Sequence, residues 1–455
     1  MAADRHWNRL DNAAKIFPPT RTRGDTKVFR FVCELTAPID PPTLQCALDR
    51  TLTEFPLYRS IIKKGLFWHY FEQSDIKPQV VEEAIPACSS IYSADRHELL
   101  FRVLYFGARI NLEVFHALAD GTGAVQFLKT LVYHYLAEKY GTASQLTDYN
   151  ASLDQKNQDA FYKYYDKSGN VPKLKRIRAY RIRGETLPDN RTGVTEGFMS
   201  VNAMLRIARE RDVTLTELLV ALLMCAIFDG MAVRERGKPV VVSVPVDLRR
   251  FFPAQTARNF FGVVQVVHSF KRDGQTLDEV LSRVRSSLRS QLTQENLSNI
   301  ISHYSAFENN PLVKAIPLQL KIPILAAIGR KANGEDTAAL SNIGRITMPE
   351  DMSQYIRLFD VFVSKNRPQI CLCSFGDTLA VSMSSPLVDT GIQRWFFRQL
   401  AQMGISIQIV SNLEQVSLEQ VNTDQMNLEQ VNLEQTSQEP TNLNQVGEED
   451  DNAAL

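Results

Sequence analysis

Residues 109–140 place an apolar strand, a six-residue corner and a long helix end to end. Residues 109–115 read as a strand, and His116-Ala117-Leu118-Ala119-Asp120-Gly121 turns the chain. From residue 122 to 140 the apolar positions Val125, Leu128, Val132, Tyr135 and Leu136 keep helical spacing. That stripe is core, and a strand feeding a helix points to a layered α/β fold. The corner is different. It sets an imidazole, which exchanges a proton near neutral pH, where functional side chains tend to be displayed.

The rest of the chain repeats the mixture. Residues 27–36 read as a strand, and Pro41-Pro42 opens a helix that Pro56 stops. Residues 66–72 form a short aromatic strand, and 99–106 with 109–115 a hairpin around Gly107. Residues 141–190 are a polar crossover. Within it, 173–183 alternates basic and apolar residues, as an edge strand with a solvated basic face does; a phosphate or carrier-protein contact is the other reading. Beyond it lie a strand over 197–201, a helix capped by Asn202, and a helix from Thr214 or Thr216 to Asp229. Strands at 239–246 and 262–270, a helix at 277–291, strands at 358–364, 369–375 and 379–384, and a helix at 390–403 complete the pattern. Hairpins among long helices predict α/β sandwiches rather than a Rossmann sheet, and no G-x-G-x-x-G or Walker loop opens a helix. The expected division is 1–190, 191–411 and a tail at 412–455.

Equal numbers of basic and acidic residues, 51 each, conceal an asymmetry. Ten acidic residues and no Lys or Arg lie beyond Arg398, so residues 1–398 carry a formal +10. A basic body suits an anionic ligand such as a nucleotide or a phosphopantetheine thioester. Residues 412–446 repeat every five positions on the theme V-N-L-E-Q; the polar, acidic composition predicts disorder, and a β-helical coil is the alternative. Deleting this tail is expected to leave turnover intact. An apolar fraction of 44% supports a sizeable core. The first twelve residues lack a signal-peptide core, and Glu217 and Asp229 interrupt the longest apolar stretch, 215–233. No membrane span and no nucleic-acid partner are expected. The six cysteines lack zinc-knuckle spacing and read as reduced thiols, so the chain is expected in the cytoplasm.

At the corner, the residues alone leave three readings open. His116 could be a general base, fixed within reach of the proton it removes. Asp120, at a helix start where backbone N–H groups hold a carboxylate, would orient the corner by pairing with an Arg, and Gly121 would allow a tight turn. Equally, His116 could be a plain loop residue and Asp120 a plain N-cap. A metal site is the third, but no third or fourth ligand is near, and His134 lies a turn too far along; no metal is expected.

Phe115-His116-Ala117-Leu118-Ala119-Asp120-Gly121 resembles the H-H-x-x-x-D-G signature of the chloramphenicol acetyltransferase-like superfamily, with Phe115 in the first His position. Asp247-Leu248-Arg249, then Asn259-Phe260-Phe261-Gly262, resemble its D-x-R…(N/Y)-F-G segment. Ser341-Asn342-Ile343-Gly344 is similar to its S-N-x-G turn, and Ser374-Phe375-Gly376-Asp377 to a strand end near its C-terminus. The order also matches, over residues 25–410. Alcohol acetyltransferases and carrier-linked acyltransferases are nearest in pattern; condensation domains and plant acyl-CoA-dependent acyltransferases are more distant. In this superfamily the second His is the base and plant members keep only that one, so Phe115 leaves the base in place.

The resemblance implies two α/β sandwich halves meeting in a V, with an active-site tunnel between them. His116 would lie mid-tunnel and take the proton of an acceptor alcohol or amine that attacks a thioester directly. The thioester would be acyl-CoA or acyl-phosphopantetheine, a co-substrate, with no bound cofactor. Asp120 would face away and pair with Arg249, while Ser341 and Asn342 would lie near the oxyanion. Asn259-Phe260-Phe261-Gly262 reads as a structural turn. Two further readings stand beside an acyl-CoA-dependent alcohol acyltransferase. One is a condensation-type enzyme partnered by an acyl carrier protein; the other is a non-catalytic binding relative.

Overall fold

The computed structural model describes residues 7–142, 144–146, 149, 151–165, 177–332 and 335–413. Most of the pentapeptide repeat, and the basic residues 173–176, lie outside that set. The fold is mixed α/β with two sheet-rich halves. The first sheet runs, in spatial order, Ile356–Val363, Val28–Leu35, Arg109–Phe115, Phe101–Phe106 and Val81–Glu82. Its pairs are antiparallel except the last. The second runs Phe261–His268, Val240–Asp247, Ala338–Arg345, Gln369–Phe375, Thr378–Ser385, Gly193–Ser200 and Gln408–Ser411. Here Ala338–Arg345 is parallel to both neighbours. A small sheet of Trp7–Arg9, His69–Gln73 and Ser60–Lys64 stands beside them.

Helices cover an apolar cluster on each large sheet, and the first cluster also takes in Phe198, Cys371 and Cys373 of the second sheet. Pro41–Glu54 and Gly121–Tyr140 cover the first. Val201–Glu210, Leu215–Asp229, Leu277–Gln291 and Gly391–Gln402 cover the second. Local chemistry sets the ends. Asp40 accepts the Thr43 N–H at 2.9 Å to start the first helix, and Gly141, at φ +67°, closes the long one. Thr214 and Glu217 form a capping box that starts Leu215–Asp229. Gly107, at φ +55°, turns the hairpin.

Two local readings change. Ser200, not Asn202, caps the helix after Gly193–Ser200, because its Oγ accepts the Ala203 N–H at 3.1 Å. Asn202 already lies in the first turn, its N–H given to Asp377. Residues 177–183 form no strand: Tyr180 makes one backbone bond to Pro239, and the Thr337 hydroxyl takes the Tyr180 carbonyl, so no ladder continues.

The chain stitches the two sheets together. It leaves Ala338–Arg345 in the second, forms Ile356–Val363 at the edge of the first, and returns to the second as Gln369–Phe375. Asp360 on the crossing strand accepts the Ser382 hydroxyl at 2.6 Å, tying it to the sheet it has left. All six cysteines are free thiols, five of them buried. Among the described residues no helix is long and apolar enough to cross a membrane.

Candidate active site

His116 follows Arg109–Phe115 directly, and its N–H bonds the Lys27 carbonyl at 2.8 Å, carrying the ladder one residue past the strand. The Leu118 N–H then turns back to the Phe115 carbonyl, and Asp120 caps the helix by accepting the Gly123 N–H at 2.9 Å. Backbone bonds on both sides therefore fix the Cα of His116. Three rings fix its imidazole. Phe17 stacks on it at 4.4 Å between centroids, Phe29 meets it edge-on at 5.0 Å, and Phe261 lies at 5.5 Å.

The hydrogen bonds around Asn259 assign the tautomer. His116 Nδ1 lies 3.2 Å from Asn259 Oδ1. The Asn259 amide NH₂ donates to the Ala117 carbonyl at 3.4 Å, which can only accept, and to Asp11 at 3.3 Å. The amide oxygen therefore faces the ring, Nδ1 carries the proton, and Nε2 keeps its lone pair. Burial, reinforced by the nearby Lys365 ammonium, lowers the His116 pKa to about 4, so the ring is neutral at pH 7. Asp11 is itself buried, which pushes it up to about 6 against the pull of Arg258.

A cavity of about 740 Å³ opens between the two sheets, lined by His116, Phe29 and Val361 of the first and by Ser243 and Ser341 of the second. Two smaller spaces adjoin it. One shares Thr214, Thr216 and Asn342 with the main cavity; the other shares Asp336, Lys365 and Arg367.

Asp120 makes no bond to His116. Arg249 grips its carboxylate with two bonds, Nη1 to Oδ2 at 2.9 Å and Nη2 to Oδ1 at 3.2 Å, and the Phe260 N–H donates to Oδ2 at 2.8 Å. The guanidinium also binds the Thr256, Arg258 and Phe260 carbonyls and Asp247. Burial works against its charge, but Asp120 and Asp247 outweigh it and raise the pKa. This cluster ties the His116 corner, in the first half, to residues 247–260 in the second. It also holds Asn259 at the imidazole.

Gly121 does not turn the chain; a Cβ there would meet Ile343 Cδ1 at 2.7 Å, so its role is close packing. The tighter position is Gly123, whose Cβ would stand 1.9 Å from the Ala257 carbonyl oxygen. Ser341-Asn342-Ile343-Gly344 is a bulged stretch within Ala338–Arg345, with Gly344 at φ +92°. Asn342 donates to the Thr216 hydroxyl at 2.9 Å and accepts the Gly344 N–H at 2.8 Å, so its amide serves the bulge. Ser341 lines the cavity. His134 pairs with Glu54 at 2.7 Å, and among the described residues no three His, Cys, Asp or Glu side chains gather as metal ligands.

Three site residues escape sequence reasoning. Asn259 reads as turn chemistry, and Asp11 and Phe17 sit in an N-terminal segment with no motif. The Asn in the N-F-G pattern was the only signal within reach.

No protein-family model and no curated protein matches this chain. Solved structures do match in fold. TRI3 trichothecene 15-O-acetyltransferase from Fusarium sporotrichioides is 11% identical, with a TM-score of 0.58 over 89% of this chain and 95% of that one. TRI101 of F. sporotrichioides, complexed with coenzyme A and T-2, is 12% identical with a TM-score of 0.59, over 89% and 99%. A mutant starter condensation domain of rhizomide synthetase RzmA, in complex with C8-CoA, is 14% identical with a TM-score of 0.57, over 86% and 93%. The chain has the chloramphenicol acetyltransferase-like fold that these acetyltransferase and condensation-domain structures share.

Proposed function

We propose that this protein is an acyltransferase that moves an acyl group from acyl-CoA to the hydroxyl of a small acceptor, with His116 as general base. One observation carries the reading: a neutral imidazole, its Nδ1 proton given to Asn259, stands in a cavity between two sheets. The solved structures of this fold that hold coenzyme A or C8-CoA support a CoA thioester as the donor. The two adjoining spaces suit a two-substrate reaction. One lies toward the bulge in Ala338–Arg345; the other lies before that strand begins.

The step balances without a bound cofactor or metal. Nε2 takes the acceptor proton as its oxygen attacks the thioester carbonyl, giving a tetrahedral oxyanion. The Ser341 hydroxyl is the candidate donor to that oxygen. Collapse breaks the C–S bond, and the imidazolium returns the proton to the leaving thiolate. Arg249, Asp120 and Gly121 position the corner. Residues 1–190 and 191–411 are taken as the two halves, and 412–455 as an appendage. A carrier-bound phosphopantetheine would present the same thioester.

Incubating the protein with an acyl-CoA panel and mixed alcohols, with mass spectrometry of the products, tests this. An ester that forms only when enzyme, thioester and alcohol are all present supports the reading. Intact thioesters throughout, or hydrolysis alone, would contradict it.

A further inference from the structure

Lys365 lies in the short return from Ile356–Val363 to Gln369–Phe375, where the chain steps between the sheets. It lines the main cavity and also the smaller space of about 210 Å³ beyond it. Four cations line that smaller space, Arg181, Arg330, Lys365 and Arg367, against the carboxylates Asp25 and Asp336. Asp336 pairs with Arg367 at 3.0 Å and Asp25 with Lys27 through Oδ2, while the buried Asp25 Oδ1 has no hydrogen-bond partner among the described residues. The side chains of Lys365, Arg181 and Arg330 make no hydrogen bond or ion pair among the described residues. Arg181 and Arg330 are exposed at the outer side, while Lys365 sits deeper, between them and the cavity.

Lys365 is half-buried, and an ammonium partly withdrawn from water gains from any anion that approaches it. Burial, with Lys27 and Arg367 close by, pushes Lys365 down to about 8 against the pull of Asp25 and Asp336. The four cations lining this space still outnumber its two carboxylates. An incoming anion would balance that excess of positive charge, and Lys365, which lines both spaces, admits a ligand that also reaches the cavity of His116.

We propose that Lys365, with Arg181 and Arg330 outside it, forms an anion-binding port that holds a phosphate or carboxylate of a substrate whose other end lies in the His116 cavity. The inference rests on the acyl-transfer reading only for what fills that cavity. Two sources share the chemistry: the 3′-phosphate of coenzyme A and an acidic group on the acceptor.

The test reads binding, not turnover, so it stands apart from the failure of the acyl-transfer reading. Calorimetric titration of the full chain with coenzyme A, 3′-dephospho-coenzyme A, octanoate and octan-1-ol would be compared with Lys365→Met and Lys365→Arg. If the port holds the nucleotide phosphate, Lys365→Met weakens coenzyme A tenfold or more, leaves the dephospho form unchanged, and Lys365→Arg restores most of the loss. If it holds an acceptor carboxylate, octanoate loses affinity tenfold while octan-1-ol does not. Dissociation constants that stay within twofold for every probe would overturn the proposal. Should Lys365→Met not fold, the exposed double variant Arg181→Gln/Arg330→Gln gives the same comparison, with a threefold loss for the anionic probe expected and no change overturning the port.

Discussion

The basicity of His116 is set by neighbours that come from three separate stretches of chain. An imidazole of ordinary pKa near 6.5 would be half charged just below neutrality; this one is held to about 4, chiefly by burial. The folded state thus binds that proton less readily than the unfolded chain. The stability this confers is full above about 6.5 and is lost as pH falls toward 4. On the acyl-transfer proposal, kcat/KM is expected to keep its acid limb near pH 4; a limb near 6.5 would show a solvated imidazole. Asn259 gives a second expectation. Asn259→Asp sets a carboxylate at Nδ1 and should move the acid limb toward neutrality, whereas Asn259→Ala should lower kcat with little change in KM. A limb that Asn259→Asp leaves in place would mean that Asn259 only fills space. His116, Asp120 and Arg249 were legible because a motif spaces them. Asp11 and Phe17 were not, since nothing local in a polar segment announces a ring stacked on a residue 99 positions later.

Elements bring these groups together through the Asp120–Arg249 cluster. Removing one partner of a buried pair strands the other charge, so Arg249→Ala is expected to cost about 3–5 kcal/mol, seen as a lower melting midpoint along with lost activity. An unchanged melt would deny the pair its structural role. The helix Gly121–Tyr140 reaches its place only because Gly123 lets the Ala257 backbone approach. Gly123→Ala should therefore destabilise by about 1–3 kcal/mol. Gly121→Ala, which meets only a methyl of Ile343, should cost less; equal melting losses would contradict that ranking. Periodic segments such as 41–54 and 277–291 could be read from sequence, because alternating faces and caps agree there. The helices over 294–332 could not, as Pro311, Pro317 and Pro323 punctuate them and Pro323 lies inside Leu318–Ala332. Ser341 to Gly344 read as a turn, because a bulge and a turn both use a glycine at positive φ.

For the whole molecule, the exchanged strand matters most. Ile356–Val363 pairs along nearly all of Val28–Leu35, so the first sheet lacks an edge without residues from the second half. A fragment of residues 1–190 is expected to aggregate or to lack a cooperative melt; a sharp two-state transition would show that the exchange is dispensable. This exchange is invisible in sequence, where 356–363 looks like any strand of its own half. The two α/β halves were nonetheless legible, since hairpins and helices alternate through both. The account turns on His116 acting from the space between them. The measurement that tests it most directly is acceptor-dependent thiol release from acyl-CoA by wild type and by His116→Ala, with melting curves alongside. The account predicts release that falls about 10²–10⁴-fold in the variant at a nearly unchanged midpoint. Release that survives the substitution in a folded protein would remove His116 from the reaction.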